Sequence, residues 1–498
     1  MGHLPYNEAT NEGTAQIFES MLQKQFGLKE DDPRFTDHLR IVYGDQLTAS
    51  RMHTYKTERL PQYGDPYGRA AWLLPVFGLW HLKFNYLKLI WEKHWGGPQN
   101  NDDKSSLWWA HHHWHGKASI NHTKFHQLES LVIHTWQAKI VAIFIHIWGE
   151  GEKGWTEETQ AGQKIYDRDD IENYIESKTP KEMDRIVRLV MERLSGISLK
   201  KSGERPIEER DEIWLNNVKF IRNVTPYLVL KAAIKHADID MLRHAIDECC
   251  ILFAGATNKT NYQRELLYYK WITDSKAANA RLQEVVLYNS LINRRGQADS
   301  YFEADLSVEL LNRDIKGMRD AKPTSTKSDD LLLGRYTLVF RFYEKQREIF
   351  RKVLTTKRNA YQKHKSVKDQ LYTLAHWMIH SDLAKELPKG RISIFEPPDL
   401  MTDGITQLPL KIQAFARFCD DSGIREKENA PAIDEALNQL LFVEFDDLET
   451  SEGVQIPPEP GPEWDDDSEV CASESGDALL DNESHTIVSG VRAEDYNS

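Results

Sequence analysis

The amino-acid sequence predicts a mainly helical protein with a small α/β part. Two short apolar runs, residues 39–43 and 71–77, each end at a glycine and are each followed by a helical pattern. Strand, helix, strand and helix joined by short connections are typical of a parallel α/β unit. From residue 105 to about residue 293 one helical pattern follows another, and no convincing strand interrupts them. We therefore expect two parallel strands near the N-terminus and a large all-helical segment after them.

The N-terminal part alternates between helices and strands. The run from Leu39 to Tyr43 is short, apolar and partly β-branched, and Gly44 ends it, which predicts a buried strand. The run from Ala71 to Phe77 predicts a second strand, which Gly78 ends. Apolar residues at helical spacing predict helices before, between and after the two strands, over residues 8–26, 47–58 and 79–95.

The rest of the chain is predicted to be helical until its acidic end. Prolines and glycines predict a break at residues 295–298 and an irregular segment at residues 388–404. The predicted helices cover residues 123–148, 169–195, 211–236, 241–254, 261–291, a stretch that begins near 304, 329–364, 367–380 and 430–442.

The charge of the chain is concentrated at its C-terminal end. From Glu444 onward there are 17 acidic residues and one basic residue, Arg492, which gives this tail a net charge of −16. The whole chain carries −14, so the remaining body is close to +2. A tail of this composition is too polar to fold alone, and we expect it to be disordered.

These changes in composition divide the chain into five predicted segments. The length alone allows more than one domain. The segments are a partial α/β segment (1–98), a helical insertion (99–300), a returning helix followed by a long helix (301–385), a C-terminal helical region (386–443) and the acidic tail (444–498).

Composition and motifs exclude several classes of protein. Of the 498 residues, 40% are hydrophobic and 28% are charged, as in ordinary soluble proteins. The longest apolar run, residues 140–148, is too short to span a membrane, and the polar N-terminus is not a secretory signal. Four cysteines suit neither a disulfide framework nor a zinc ribbon. We expect an intracellular protein, in nucleus or cytoplasm, without a membrane partner. No phosphate-binding loop, nucleophile elbow or dinucleotide fingerprint points to a small-molecule substrate.

Three segments carry polar side chains that can serve chemistry together. Asp45 directly follows the first predicted strand, and His81 lies in the first turn of the helix after the second strand. Functional side chains of parallel α/β folds emerge at the carboxyl ends of strands. On the helix that begins near residue 304, Asp305, Glu309 and Asn312 share one face at spacings of four and three.

The same segments carry a family resemblance. The runs GDQLT (44–48), WLLPVFGLWHLKFN (72–85) and ADLSVELLNRDIK (304–316) resemble a fungal domain-of-unknown-function family. More loosely, they resemble the DDE transposases of the Mutator-like and hAT groups, which have an RNase H-like core with a helical insertion. The similarity extends over residues 16–316.

The resemblance implies a partial RNase H-like core, derived from a metal-dependent DNA strand-transfer enzyme. Asp45 would be the second catalytic carboxylate and Glu309 the last, both as ligands of Mg or Mn ions. His81, Asn312 and Asp305 would support them. Two-metal phosphoryl transfer needs several converging carboxylates. No predicted strand upstream of Asp45 carries the first catalytic aspartate, so we expect a truncated chain that is inactive alone.

Each of these residues also has an ordinary structural interpretation. Asp45 is a good helix N-cap, His81 a common helix-start residue, and Glu309 a plausible member of a solvated face. The alternative function is therefore a non-catalytic helical interaction protein domesticated from such an ancestor. The segment Trp108–His115 is rich in tryptophan and histidine, and we expect it to pack the insertion rather than to bind a metal.

Any contact with DNA has to come from local basic patches, because the body of the chain is nearly neutral. A solvated helix surface is the other interpretation of such patches. The candidates all lie on the predicted helix 329–364 or at its end, and they are Arg351, Lys352, Lys357, Arg358, Lys363 and Lys365. A sheet with missing strands has an unpaired edge, so we also expect self-association.

Overall fold

A computed structural model of the protein describes a mainly helical chain with two small sheets. The mainly helical class and the parallel pair of N-terminal strands are confirmed, whereas the RNase H-like topology stays a prediction. The described residues are 6–7, 10–30, 32–34, 38–61, 65, 67–97, 103–115, 124–148, 168–256, 260–274, 280–294, 296–310 and 367–421.

The first sheet has two parallel strands, β1 (Arg40–Gly44) and β2 (Leu73–Phe77). Their register pairs the first residues, Arg40 with Leu73, and the last residues, Gly44 with Phe77. Every residue of β2 is buried, as its apolar composition requires. The helices around this sheet are α1 (Asn11–Glu19), which continues through a π-type stretch (Ser20–Gln25), α2 (Gln46–Glu58) and α3 (Leu79–His94).

The elements that follow are helical as far as residue 289. These helices are α4 (Leu107–His115), α5 (Phe125–Trp148), α6 (Arg168–Glu176), α7 (Pro180–Arg193), α8 (Gly196–Gly203), α9 (Glu212–His236), α10 (Ile239–Gly255), α11 (Thr260–Asp274) and α12 (Ala280–Asn289). The last described elements are β3 (Leu291–Ile292), which pairs antiparallel with β4 (Phe302–Glu303), then α13 (residues 304–310), α14 (Val367–His380) and α15 (Leu400–Asp421).

Local chemistry corrects several predicted boundaries. The helix predicted over residues 169–195 is two helices, because Thr179 caps α7 through a reciprocal capping box with Glu182 and Pro180 starts the new helix. The predicted all-helical stretch up to residue 293 contains β3, a strand of only two residues. The segment 388–404 was predicted to be irregular throughout, but α15 begins at Leu400.

Helix α15 contains two residues that ordinarily break helices. Gly404 is needed because a Cβ atom at this position would lie 2.0 Å from the backbone oxygen of Ile251. Pro409 lies inside the helix, where it removes one backbone hydrogen bond. Close packing against α10 thus selects a glycine inside a helix, against its weak intrinsic propensity.

The chain forms two compact units, each built from segments that are distant in sequence. Unit 1 comprises residues 1–83, 230–360 and 404–498, and unit 2 comprises residues 84–229 and 361–403. In unit 1, α2 packs on β2 and on α11, and α11 packs on α10 and α12. Its largest fully buried side chains include Trp72, Phe77, Tyr269 and Phe253. Phe77 of β2 packs edge to face on Tyr269 of α11, with ring centroids 5.4 Å apart, which joins the sheet to this helical layer.

The core of unit 2 lies where α14 packs against α5, with α4 beside both. Trp109, Ala138 and Met378 are buried in this cluster. The helix predicted over residues 123–148 is α5, and by length and composition alone its segment Phe125–Ile147 could cross a membrane, whereas the sequence analysis counted only the apolar run 140–148. Half of this segment is buried inside the protein. Because Lys139 is buried on the same helix, α5 has the character of a core helix.

Candidate functional site

The carboxyl ends of the two parallel strands lie side by side. Gly78 donates its backbone N–H to the backbone oxygen of Gly44 over 2.7 Å, directly after the last register pair. Asp45 follows Gly44, and the first turn of α3 follows Gly78. The sheet therefore places Asp45 next to the start of α3, as the parallel arrangement predicts.

Asp45 is the N-cap of α2. Its Oδ1 atom accepts a hydrogen bond of 2.7 Å from the backbone N–H of Thr48, which satisfies one of the free donors of the first helical turn. The side chain is half-buried. Within the part of the chain that the structure describes, its Oδ2 atom takes no hydrogen bond. One carboxylate oxygen thus holds the helix, and the other is available to a ligand.

Asp305 caps a different helix, which lies 225 residues away in the sequence. Its Oδ1 atom accepts the backbone N–H of Trp80 at 3.1 Å, and its Oδ2 atom accepts that of His81 at 3.1 Å. These are first-turn donors of α3, where the helix dipole favours a negative charge. Asp305 is 6% exposed, so these contacts are sheltered from water. The residue predicted as a supporting one joins α13 to the start of α3.

The same carboxylate orients the imidazole of His81. The Nδ1 atom of His81 lies 3.0 Å from Oδ2 of Asp305. In the neutral imidazole this contact places the proton on Nδ1 and leaves Nε2 as a lone-pair acceptor. The His81 side chain is 21% exposed. Its Nε2 atom can therefore accept a proton or bind a cation.

Gly78 allows Asp305 to approach the start of α3. A Cβ atom on Gly78 would lie 2.1 Å from Oδ2 of Asp305 and 2.4 Å from its Cγ. Such distances are far below van der Waals contact, so any larger residue would displace the carboxylate. The glycine that was predicted to end the second strand is thus also a requirement of the site.

Three carboxylates at this edge act on the imidazole of His81. Burial alone would lower the pKa of His81, but the hydrogen bond and charge of Asp305, with the charges of Asp45 and Glu309, raise it above its usual value. Glu309 lies one helical turn beyond Asp305 on α13. The structure therefore brings Asp45, His81, Asp305 and Glu309 near one another, whereas Asn312 lies outside the described residues.

A buried ion pair next to this site was not predicted. Lys83 and Glu303 approach within 2.8 Å, and the side chain of Glu303 is 2% exposed. Each lies two residues from a member of the Asp305–His81 pair. A charged residue near the start of an apolar helix is the only sequence signal for Lys83, and its partner lies on a strand of two residues. This ion pair fixes β4 against α3.

The raised pKa of His81 predicts how the stability of unit 1 depends on pH. Because the pKa of His81 is higher in the folded protein than in the unfolded chain, protonation of His81 stabilises the folded form. This stabilisation is fully present below the unfolded-state pKa near 6.5, and it is lost as the pH rises through the folded-state pKa. We expect His81→Gln to remove this dependence, measured by urea unfolding at about pH 6 and about pH 8. Asp305→Asn should shift the NMR titration of His81 to lower pH. An unshifted titration would contradict this assignment of the partner.

The tryptophan- and histidine-rich segment forms α4 and packs as predicted. Trp109 is buried in the core of unit 2, and the Nδ1–H of His113 donates to the backbone oxygen of Trp109 at 2.9 Å. Trp108 stacks on His112 with ring centroids 5.2 Å apart. In the described ranges, no group of three or more His, Cys, Asp or Glu residues is arranged to hold a metal ion. The six basic candidates for nucleic-acid contact, Arg351 to Lys365, lie outside those ranges.

A second strongly perturbed group is buried in unit 2. Burial lowers the pKa of Lys139 to about 7, although the charge of Asp103 opposes the shift. Its ammonium group donates to Asn217 and to the backbone oxygen of Ser105, the latter at 3.4 Å. Lys139 is 4% exposed. We interpret Lys139 as a structural residue, because perturbed groups that act on substrates lie in accessible clefts.

The chain belongs to a family of unknown function, DUF6589, whose family model matches residues 1–364. The match includes Asp45, His81, Asp305 and Glu309. No curated protein and no solved structure matches the chain.

Proposed function

We propose that the chain is derived from a DDE-type transposase and that it binds a divalent cation and DNA at the Asp45–Glu309 edge. One observation carries the proposal: the parallel strand ends place Asp45 beside the start of α3, where Asp305, one helical turn before Glu309 on α13, holds the imidazole of His81 at 3.0 Å. The carboxyl ends of parallel strands are a common position for functional side chains. The order of the GDQLT, GLWH and ADLSVE segments also matches that of the transposase groups they resemble.

The donor atoms at this edge suit Mg²⁺ or Mn²⁺. These ions prefer oxygen ligands, and Mg²⁺ is usually held by one or two carboxylates, by water and by substrate phosphates rather than by a complete protein cage. Asp45 and Glu309 would supply such carboxylates. When bound, the ion would supply charge stabilisation to phosphate oxygens.

The chain's own residues have distinct roles in this proposal. The Oδ2 atom of Asp45 and the carboxylate of Glu309 bind the cation. Nε2 of His81 takes up a proton and, once protonated, donates to a phosphate oxygen. Asp305 is a positioning residue, because it holds His81 through Nδ1 at 3.0 Å. Two-metal transfer requires further carboxylates. We therefore propose binding of metal and DNA for this chain, without turnover by the chain alone.

The test is a titration of the full chain with Mn²⁺ by calorimetry. We expect saturable binding that weakens by about tenfold or more in Asp45→Asn and in Glu309→Gln. Asparagine caps helices as well as aspartate does, so Asp45→Asn removes the charge and keeps the N-cap of α2. Asp299→Asn is the matched control, because this carboxylate is 59% exposed and pairs with His236. Equal affinity for Mn²⁺ in the wild type and all three variants would reject the site, as would the absence of Mn²⁺ binding in the wild type.

The DNA part of the proposal has its own measurement. Fluorescence anisotropy of a labelled duplex should show tighter binding with Mn²⁺ than with EDTA, and Glu309→Gln should remove this difference. A cation that bridges carboxylates and phosphates requires both partners, so the coupling is the expected signature. Mn²⁺ binding without any effect on DNA affinity would restrict the proposal to the metal.

A non-catalytic interaction protein is the second candidate. It is favoured by the observation that Asp45 and Asp305 each cap a helix, which gives both carboxylates a structural role. Asp305→Ala would destabilise unit 1 under either candidate, but in the second the wild-type chain would bind neither Mn²⁺ nor DNA. The calorimetric titration separates the two candidates.

A further inference from the structure

Two histidines one turn apart on α14 direct their ring nitrogens at each other. The Nε2 atoms of His376 and His380 lie 2.8 Å apart, and their ring centroids are separated by 4.1 Å. Both side chains are half-buried in unit 2. Residues four apart on a helix face the same side, so the contact follows directly from the sequence His-Trp-Met-Ile-His.

We propose that His376 and His380 form a two-histidine binding site for a divalent transition-metal ion such as Zn²⁺. Imidazole nitrogen is a preferred ligand of Zn²⁺, Cu²⁺ and Ni²⁺, whereas Mg²⁺ and Mn²⁺ favour oxygen. Two imidazoles at positions i and i+4 of a helix also supply the histidine ligands of helical zinc sites in metalloproteases. Both nitrogens here already point to one place, so little rearrangement is needed.

The contact between the two rings identifies the hydrogen that a metal ion would displace. A metal ion binds neutral imidazole through the lone pair of a ring nitrogen. In the metal-free pair one Nε2 must carry a hydrogen to bond the other. A bound ion would replace that hydrogen, and both protons would then reside on the Nδ1 atoms.

The residue between the two histidines restricts what the site can do. In the metalloprotease pattern a glutamate follows the first histidine and acts as general base. Trp377 occupies that position here and is 50% exposed. We therefore infer metal binding without peptide hydrolysis. Two protein ligands leave the remaining positions of a tetrahedral ion to water or to a donor from another molecule.

The face of α14 opposite the two histidines packs in the core of unit 2, so metal binding to this helix should stabilise the unit. Leu374, Ala375 and Met378 are buried in the core that α14 forms with α5. An ion that bridges one turn of the helix binds the folded form, so it should raise the melting temperature of this unit. The site is independent of the Asp45–Glu309 edge, both in its residues and in the kind of ion it selects.

The test is a Zn²⁺ titration of the full chain by calorimetry, carried out in the Asp45→Asn background so that binding at the other site does not contribute. We expect one ion per chain, bound at least about tenfold more weakly after His376→Gln or after His380→Gln. The matched control is the double variant His112→Gln/His113→Gln, whose exposed imidazoles have centroids 6.0 Å apart and do not converge. It should bind Zn²⁺ like the parent.

A second measurement leaves α14 unaltered. In the parent chain, electron paramagnetic resonance of one equivalent of Cu²⁺ should show coupling to two imidazole nitrogens. Coupling to one or none would overturn the proposal, as would a Zn²⁺ affinity that both single variants leave unchanged. Loss of Zn²⁺ binding in the His112/His113 double variant instead would assign the metal to α4.

Discussion

Replacing Asp305 with alanine is expected to destabilise unit 1 by about 3 kcal/mol or more. The substitution removes a buried carboxylate that accepts two backbone N–H groups of α3 and the Nδ1–H of His81. Hydrogen bonds to a charged group contribute more than neutral ones, and buried donors left without a partner add a desolvation cost. Because the chain has two units, the change should be measured by hydrogen exchange in α3 and β2 rather than by one global transition.

The comparison with an exposed cap makes this prediction specific. Asp238 caps α10 by accepting the Met241 N–H at 2.9 Å, but its side chain is exposed and makes one such contact. Asp238→Ala should therefore cost about 1 kcal/mol. Asp305→Asn, which keeps an oxygen acceptor and loses the charge, should fall between the two alanine variants. Equal losses for Asp305→Ala and Asp238→Ala would contradict the role assigned to the buried carboxylate.

The first sheet was predictable because its signal is local. The predicted strand 39–43 is β1 (Arg40–Gly44), and the predicted run 71–77 contains β2 (Leu73–Phe77). Each is a short apolar run with a glycine at its end, and the helix after each begins at once. Parallel pairing followed from the short connections. The predicted parallel pairing therefore already places Asp45 and His81 at neighbouring strand ends.

The contacts that complete the site could not be predicted from local patterns. Asp305 was expected to support a metal site from its own helix face, but its oxygens cap α3. Such a contact depends on the close approach that Gly78 allows, and nothing near Gly78 in the sequence specifies its partner. The ion pair of Lys83 and Glu303 was not predictable for the same reason. It forms because the contact of Asp305 with the start of α3 already holds these two chain segments together.

The start of α15 was missed because close packing outweighs the low intrinsic helix propensity of its residues. Gly404 and Pro409 both argue against a helix, but the close approach of α15 to Ile251 favours a helix that contains a glycine. The His376–His380 pair, by contrast, was visible in the sequence as two histidines four residues apart. A search for this spacing along all predicted helices would have found it.

Replacing Arg391 with alanine is expected to destabilise unit 2 by about 3–5 kcal/mol. Arg391 binds both oxygens of Asp211, from Nε at 2.9 Å and from an Nη atom at 2.6 Å. Asp211 is fully buried and also accepts the N–H groups of Trp214 and Leu387. Without the guanidinium, a buried carboxylate would remain without its counter-charge, which is more costly than losing the pair as a whole.

Two further variants separate the charge effect from a general loss of packing. Arg391→Lys keeps a positive charge but cannot bind both carboxylate oxygens in the planar geometry, so an intermediate loss is expected. Adding Asp211→Asn to Arg391→Ala should cost less than the two single changes together, because it removes the unpaired charge.

Arg188→Ala is the surface control in the same unit. The side chains of Arg188 and its partner Asp184 are 77% and 61% exposed, so this pair should contribute at most about 0.5 kcal/mol. Hydrogen exchange in α9 would measure all five variants, including the single change Asp211→Asn. Two residues that form an ion pair are energetically coupled, whereas two independent contacts are not. If the loss of stability in the double variant equals the sum of the two single losses, Asp211 at the start of α9 and Arg391 are not joined by a buried ion pair.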